Sequence, residues 1–415
     1  MKVTDKLKVE TEIPMKTVTD LQHQWQLDEH AVLKLKGFLQ SEQAVSNTHI
    51  NYKGTQLTIK YEEEIMFCGI VIETSTKVVG GTYQMEVEAV SATIYLDTDI
   101  ENEMFQDISL TYKQMVRQMV TKKSGGLIGT IGENVIGKPL LCYKETIWQY
   151  VDRMASHFHS HVIADIRAGK PSIWFGLRKG KNIREHGLSY DQIKIKKAIK
   201  KGEKDQISYL LSGDKNYQLC DKVYIEGEWR TIYEKKAYLR QGRVVFSYLL
   251  SNEECLYRDT KYQELIIGSS LSGEVEKVEK EQIYIRLDLD GKSGQYPFLW
   301  YPETGNTLYA MPEPGGKAEL YFMGSDERMA IGVRCKSPKG EDNDEKRLEL
   351  PDGAKVIMDP SMVSMKKRSE VGLADRDIAF IGDSVIEIIS LGGIEIGAKI
   401  VEICAADTIK CSTEW

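Results

Sequence analysis

The chain lacks any run of the ~20 apolar residues that a membrane-crossing helix needs. Its first eight residues, Met1 to Lys8, alternate charge with apolar side chains and hold no apolar signal-peptide core. Synthesis in the cytoplasm is therefore expected, with any later exit by a route other than a cleaved leader. There is no Cys-x-x-Cys pair, no Gly-x-Ser-x-Gly, no His-Glu-x-x-His and no kinase motif set, so the common zinc and hydrolase signatures are missing. The seven cysteines are odd in number and widely spaced. They are expected as reduced thiols packed like small hydrophobes, as in Met66-Phe67-Cys68-Gly69-Ile70. Glycine (34) and proline (10) are at ordinary levels among 415 residues, which excludes collagen-like and low-complexity chains. A basic excess is missing too. The net charge of -7 argues against a globally basic nucleic-acid binder.

What is present is mostly β pattern. Gln56–Tyr61 alternates, Ile65–Ile72 is nearly all apolar, and Tyr83–Ala89 alternates strictly after Gly80-Gly81. A small antiparallel sheet or barrel is expected over residues 1–100. The period then changes. Tyr112, Met115, Val116, Met119 and Val120 share one helical face, with Ser109 as candidate N-cap. Trp148, Val151, Met154, Ala155 and Phe158 share another, in a helix expected over 145–158. Residues 124–138 are Gly-rich and read as a loop. Strands return with two hairpins, Val223–Glu226 with Trp229–Tyr233 and Lys236–Arg240 with Arg243–Tyr248, which suggest a second small barrel. Five short strands between Gly273 and Cys335 suggest an OB-like barrel. Ser337–Arg347 reads as a linker. After Lys355 come short strand-like runs such as Ser384–Ile389 and Gly393–Ile396, too thin in apolar residues to make a core alone. Stacking against other copies would supply one.

Four constellations were weighed for chemistry. His157, His159 and His161 come at the end of the second expected helix, and positions 157 and 161 are one turn apart, which is metal-ligand spacing. No Glu or further ligand completes the set, and a polar helix terminus is the preferred reading. The glycines from Gly125 to Gly132 have no Gly-Lys-Ser/Thr after them, so a phosphate loop is not indicated. Asp288–Lys292 resembles part of a calcium loop but lacks its closing Glu, and a hairpin turn suffices. Residues 178–205 carry ten basic against four acidic residues. The alternation Ile193-Lys194-Ile195-Lys196 favours a wet strand face over nucleic-acid binding. No metal, cofactor or catalytic residue is assigned.

Two segments carry a resemblance. Tyr143 to Phe158, with Glu145, Thr146, Trp148 and Arg153, resembles the signature helix of the phage late-control-D/VgrG-type hub and spike proteins. Trp300–Asn306 and Met311–Phe322, with Pro312, Gly315 and Gly316, resemble the OB-fold of the same proteins. Gly324 and Gly332 match the hairpin that follows, although its proline is missing here. Ser91–Asp97 resembles the motif that closes the first barrel of that family.

The resemblance implies a mainly β fold with an α+β insertion. Two small β-barrels (1–100 and 206–267) would flank an α+β hub domain (101–205). An OB-fold (268–337) and a linker with an intertwined trimeric β-helix (338–415) would follow. It implies a structural homotrimer at the tip of a contractile tail, adapting a hexameric tube to a trimeric needle in a phage, a bacteriocin or a type VI secretion apparatus. Implied partners are the tail tube protein, baseplate wedge or other hub proteins, a PAAR-type spike-tip protein, a cargo effector and the target cell envelope, with no nucleic acid. No inserted effector domain is visible, so no enzyme activity is expected. Two alternatives remain open: an OB-based nucleic-acid-binding protein and a cell-wall hydrolase.

Overall fold

The computed structural model describes residues 3–40, 51–185, 188, 190–196, 206–301, 311–336, 346–349, 353–374, 377–382 and 385–410. The chain divides into two compact units, Met1–Ser337 and Pro338–Trp415.

The first unit is built on one open sheet. Its strands run in the order Leu7–Thr11, Gln56–Tyr61, Glu64–Val79, Thr82–Ser91, Val32–Leu39, Met15–Gln26, Glu228–Arg240, Arg243–Ser251, Gln206–Gly213 and Tyr190–Lys196. Lys222–Ile225 and Asn182–Ile183 pair off this path. The two strand groups expected as separate barrels are thus joined edge to edge, through Met15–Gln26 and Glu228–Arg240. The two hairpins expected over 223–248 share the long Glu228–Arg240 strand, which bulges between Ile232 and Glu234. A bulge resets the alternation, so Ile232 and Lys235 both point inward.

Two helices lie between the strand groups: α1 (Tyr112–Thr121) and α2 (Ile147–Ser156). Both start with the same device. Thr111 accepts from the Gln114 amide while the Gln114 side chain returns to the Thr111 backbone, and Thr146 and Gln149 do the same. The cap of α1 is therefore Thr111 rather than Ser109, because only Thr111 stands three residues before a glutamine that reaches back. Ser109 instead bonds Asp107. The anticipated apolar faces are buried, and Phe158 packs partly buried against the same core. The Gly-rich segment is not all loop. Leu127–Gly129 pairs parallel with Ile173–Phe175.

The five strands between Ser270 and Lys336 form a separate sheet in the order Phe298–Leu299, Gln282–Leu287, Ser270–Glu279, Lys317–Tyr321, Ile331–Lys336. A parallel bridge from Trp300 to Gly332 links its two outer strands.

The second unit is a five-stranded antiparallel meander: Lys346–Glu349, Lys355–Met358, Met362–Lys366, Glu370–Ala374 and Ile378–Ile381. Beyond it, residues 385–410 carry no strand in the single chain. The runs expected there, Ser384–Ile389 (with Ser384 outside the described residues) and Gly393–Ile396, have no neighbour to pair with, and a strand exists only in a ladder. Cysteine burial also departs from expectation. Cys68, Cys142 and Cys220 are buried, but Cys255 is half-buried and Cys335 and Cys404 are exposed. Cys411, Pro302–Asn306, most of the linker and residues 197–205 of the basic run lie outside the described residues.

Candidate functional site: a buried junction and an exposed tail

The ribbon of Ile100–Phe105 and Leu140–Thr146 has two faces, because successive side chains of a strand alternate. Phe105, Leu140 and Cys142 enter the core around α1 and α2. Met104 and Leu141 enter the core of the five-stranded sheet, among Leu271, Val275, Ile283 and Leu320. One ribbon therefore belongs to two cores and fixes them together.

Polar contacts complete this junction. The Gln106 side-chain amide donates to the Ile285 carbonyl (3.0 Å) and accepts from the Gln295 amide (3.1 Å). Asp290 accepts from the Met104 amide at 2.9 Å, so the Asp288–Lys292 turn docks onto the ribbon. Glu103 takes ion pairs from Lys122 and Lys292. Burial works against its charge, but the two ammonium groups more than offset this and hold its carboxyl below the usual range.

At the centre lies Arg153. It sits on the buried face of α2, eight residues after Glu145, and is 3 % exposed. Its guanidinium donates twice to the Glu145 carboxylate (2.8 and 2.7 Å), once to the Leu141 carbonyl (2.7 Å) and once to Glu327 (2.7 Å). Glu327 opens a short turn of the five-stranded sheet unit and is 1 % exposed. Burial opposes the charge on Arg153, but the two carboxylates outweigh it and hold the group fully protonated. Such a group is strongly directional: losing one partner of a buried pair costs about 3–5 kcal/mol.

The other motif residues serve the same joint. Thr146 caps α2 and its hydroxyl also bonds Asp97. Trp148 is buried and lies 4.2 Å, ring to ring, from His30 near the first strand group. Glu145, Thr146, Trp148 and Arg153 are thus brought together. Pro312, Gly315, Gly316, Gly324 and Gly332 are not part of this cluster. Pro312 is buried, and Gly315 has φ of +84° in the turn that bonds Val275. Gly324 stands in open space, whereas a Cβ on Gly332 would meet Ile283 at 2.6 Å. These five shape turns and packing.

The three histidines separate. His157 approaches the Tyr112 hydroxyl (3.3 Å), His159 the Arg258 carbonyl (3.0 Å), and His161 both Asp28 (2.6 Å) and the Leu256 carbonyl (2.5 Å). His159 and His161 thereby pin the connector between Ser251 and Ser270. Arg258 reinforces this with pairs to Asp152 (2.6 Å) and Asp28 (3.0 Å). Glu327, Gln106, Asp290 and Arg258 carry no motif signal. Each acts on a partner about 100 or more positions away, which local spacing does not encode.

The tail offers the opposite chemistry. Among its described residues only Ser364 and Gly372 are buried. Met365, Leu373, Ile378 and Phe380 of the meander are exposed, and so are Ile386, Ile389, Leu391, Ile396, Ile400 and Ile403 beyond it. Leu391 has no shielding at all. An apolar surface of this extent is rare on a chain that folds alone.

No protein-family model matches the chain, and no curated protein matches it in sequence. Solved structures do. One is an Escherichia coli component of the type VI secretion system, described as similar to the phage T4 tail proteins gp27 and gp5. It aligns with a TM-score of 0.53 at 11 % identity, over 79 % of this chain and all of that one. A chain of the Francisella PdpA–VgrG complex aligns with a TM-score of 0.54 at 7 % identity, over 90 % of this chain and 87 % of that one. A 43 kDa prophage MuSo2 tail protein from Shewanella oneidensis aligns at 0.49 and 9 % identity, over 62 % and 99 %. The chain therefore shares the fold of the first two of these structures, the type VI secretion component and the chain of the PdpA–VgrG complex.

Proposed function

We propose that this chain is a structural hub and spike of a contractile tail or injection apparatus, acting as a homotrimer. In this reading the strand groups of residues 1–100 and 206–267 act as two hub barrels per chain, around the α+β domain of 101–205. Three chains then present six such units to a hexameric tube. Residues 268–337 form an OB-type barrel. The strand order and the Trp300–Gly332 bridge support that reading. Residues 338–415 make a linker and a needle of strands shared by three chains. The tube protein, other baseplate proteins, a PAAR-type tip, a cargo effector and the target envelope are the partners this reading assigns, and it assigns no catalytic activity.

The observation that carries the proposal is the exposed apolar tail. Burying a Leu, Ile or Val side chain contributes about 1.5–3 kcal/mol, and residues 385–410 leave eleven of these types exposed. Intertwining three copies buries them and pairs every strand edge at once. The test is the solution mass of the full chain by light scattering. A particle of three chains supports the proposal, and a strict monomer at micromolar concentration refutes it.

A further inference from the structure

The large sheet has one seam. Among the described residues, a single ladder joins the strands of residues 7–91 to those of residues 182–251. It pairs Gln22–Gln26 of Met15–Gln26 with Glu234–Tyr238 of Glu228–Arg240. Leu21, His23 and Trp25 point inward from one strand, Lys235 and Ala237 from the other. Lys235 stands opposite Trp25 and Ala237 opposite His23, so His23 and Lys235 are diagonal neighbours on the buried face.

Neither residue suits that place. His23 is 1 % exposed, lies edge-on to Phe67 (5.4 Å), and has no hydrogen-bond partner for either ring nitrogen among the described residues. Lys235 is wholly buried, donates to Asn216 Oδ1 and lies 5.2 Å from the Phe246 ring centre. The charged groups that face Lys235 are Asp221, Arg178 and Glu64. Asp221 is already paired with Arg178 at 2.9 Å. The charged group that faces His23 is Lys235 itself. Two bases thus share an apolar seam, and among the described residues no carboxylate forms an ion pair with either one.

We propose that this seam is a proton-triggered joint: protonation of His23 beside Lys235 opens the ladder between Met15–Gln26 and Glu228–Arg240, and the two halves of the sheet part while the α1–α2 core stays folded. Every other ladder in the sheet is left intact by this opening. The proposal stands apart from the hub reading and holds whether or not the chain is a spike.

The direction follows from the burial. Burial first, and the Lys235 charge second, hold the His23 ring to about 3, against 6.5 in water. Burial holds Lys235 to about 7, against 10.5. Both values are depressed, so the open seam binds more protons than the closed one. The His23 contribution to closure is fully present above pH 6.5 and is lost as pH falls toward 3. The Lys235 contribution is present above 10.5 and is already lost by pH 7. Each proton taken up changes the opening constant about tenfold per pH unit.

The experiment is amide hydrogen exchange on the full-length protein, corrected for intrinsic exchange, between pH 7.5 and 4.5. Peptides covering 15–26 and 228–240 are expected to lose about 50-fold in protection between pH 6.5 and 4.5, while those covering α1, α2 and Leu140–Thr146 keep theirs. His23→Phe should remove most of this loss. Equal losses across the whole first unit, or an unchanged loss in His23→Phe, would overturn the proposal. Exchange of the His23 ring C2 hydrogen in the unaltered protein reads the same event without a variant. A midpoint well below 6 agrees with a closed seam, and a midpoint near 6.5 contradicts it.

Discussion

The two units of this chain solve the same problem in opposite ways. The first buries its apolar residues within itself. It joins a large sheet, a helical core and a five-stranded sheet through one ribbon and one arginine. The second unit has apolar residues in abundance and leaves nearly all of them in water. On the proposed reading, stability and association are assigned to different stretches of one polypeptide. A body that closes its own cores needs no partner to fold. On the proposed reading, a tail that closes none is stable only when other chains complete it.

The largest effect should come from cutting the chain after Ser337. The body is expected to keep its cooperative melting transition within a few degrees. On the proposed reading, the assembly contacts supplied by the tail vanish. Differential scanning calorimetry and sedimentation give the two readouts, and loss of the body's transition would break the contrast.

Within the body, Arg153→Met should be the most damaging single change. It leaves Glu145 and Glu327 buried without their cation, at a cost of about 3–5 kcal/mol in a denaturant titration. Glu327→Gln should cost less, because Glu145 still pairs with the arginine. No measurable cost for Glu327→Gln would mean that the junction does not depend on the link between α2 and the five-stranded sheet.

Gly332→Ala should destabilise by about 1–3 kcal/mol, since the added methyl meets Ile283 at 2.6 Å where strand and strand are bridged. Gly324→Ala, in open space, is its control. The smallest effects belong to the helix caps. Thr111→Ala should cost about 1 kcal/mol. Thr146→Ala should cost somewhat more, because its hydroxyl also bonds Asp97.

The sequence shows its periodic features plainly. The apolar faces of α1 and α2, the five strands of the second sheet and the boundary near Ser337 all have local signals: 3.6-residue spacing, alternation, or a polar stretch with Pro338-Lys339-Gly340. Contacts between distant segments have none. Glu327 reads as one more charged residue in Ser325-Asp326-Glu327-Arg328, yet it is among the most buried groups in the chain. Lys235 reads as part of a solvated Glu234-Lys235-Lys236 run, and only the bulge at Ile232 and Glu234 turns it inward. His23 lies between Gln22 and Gln24 and looks like a wet strand. The motif around Glu145 and Arg153 was visible, but its third member, Glu327, is 174 positions away from Arg153.

A point change in the tail sharpens the contrast further. Ile396→Asp should leave the melting temperature of the body unchanged, since Ile396 is exposed, while on the proposed reading it weakens the association of chains. The most direct test is amide exchange over residues 385–410 in the assembled full-length protein. Shared strands predict slow exchange along this whole stretch, as strong as in the sheet of the body. Exchange at the rate of an unstructured peptide would contradict the claim that this surface is completed by other chains.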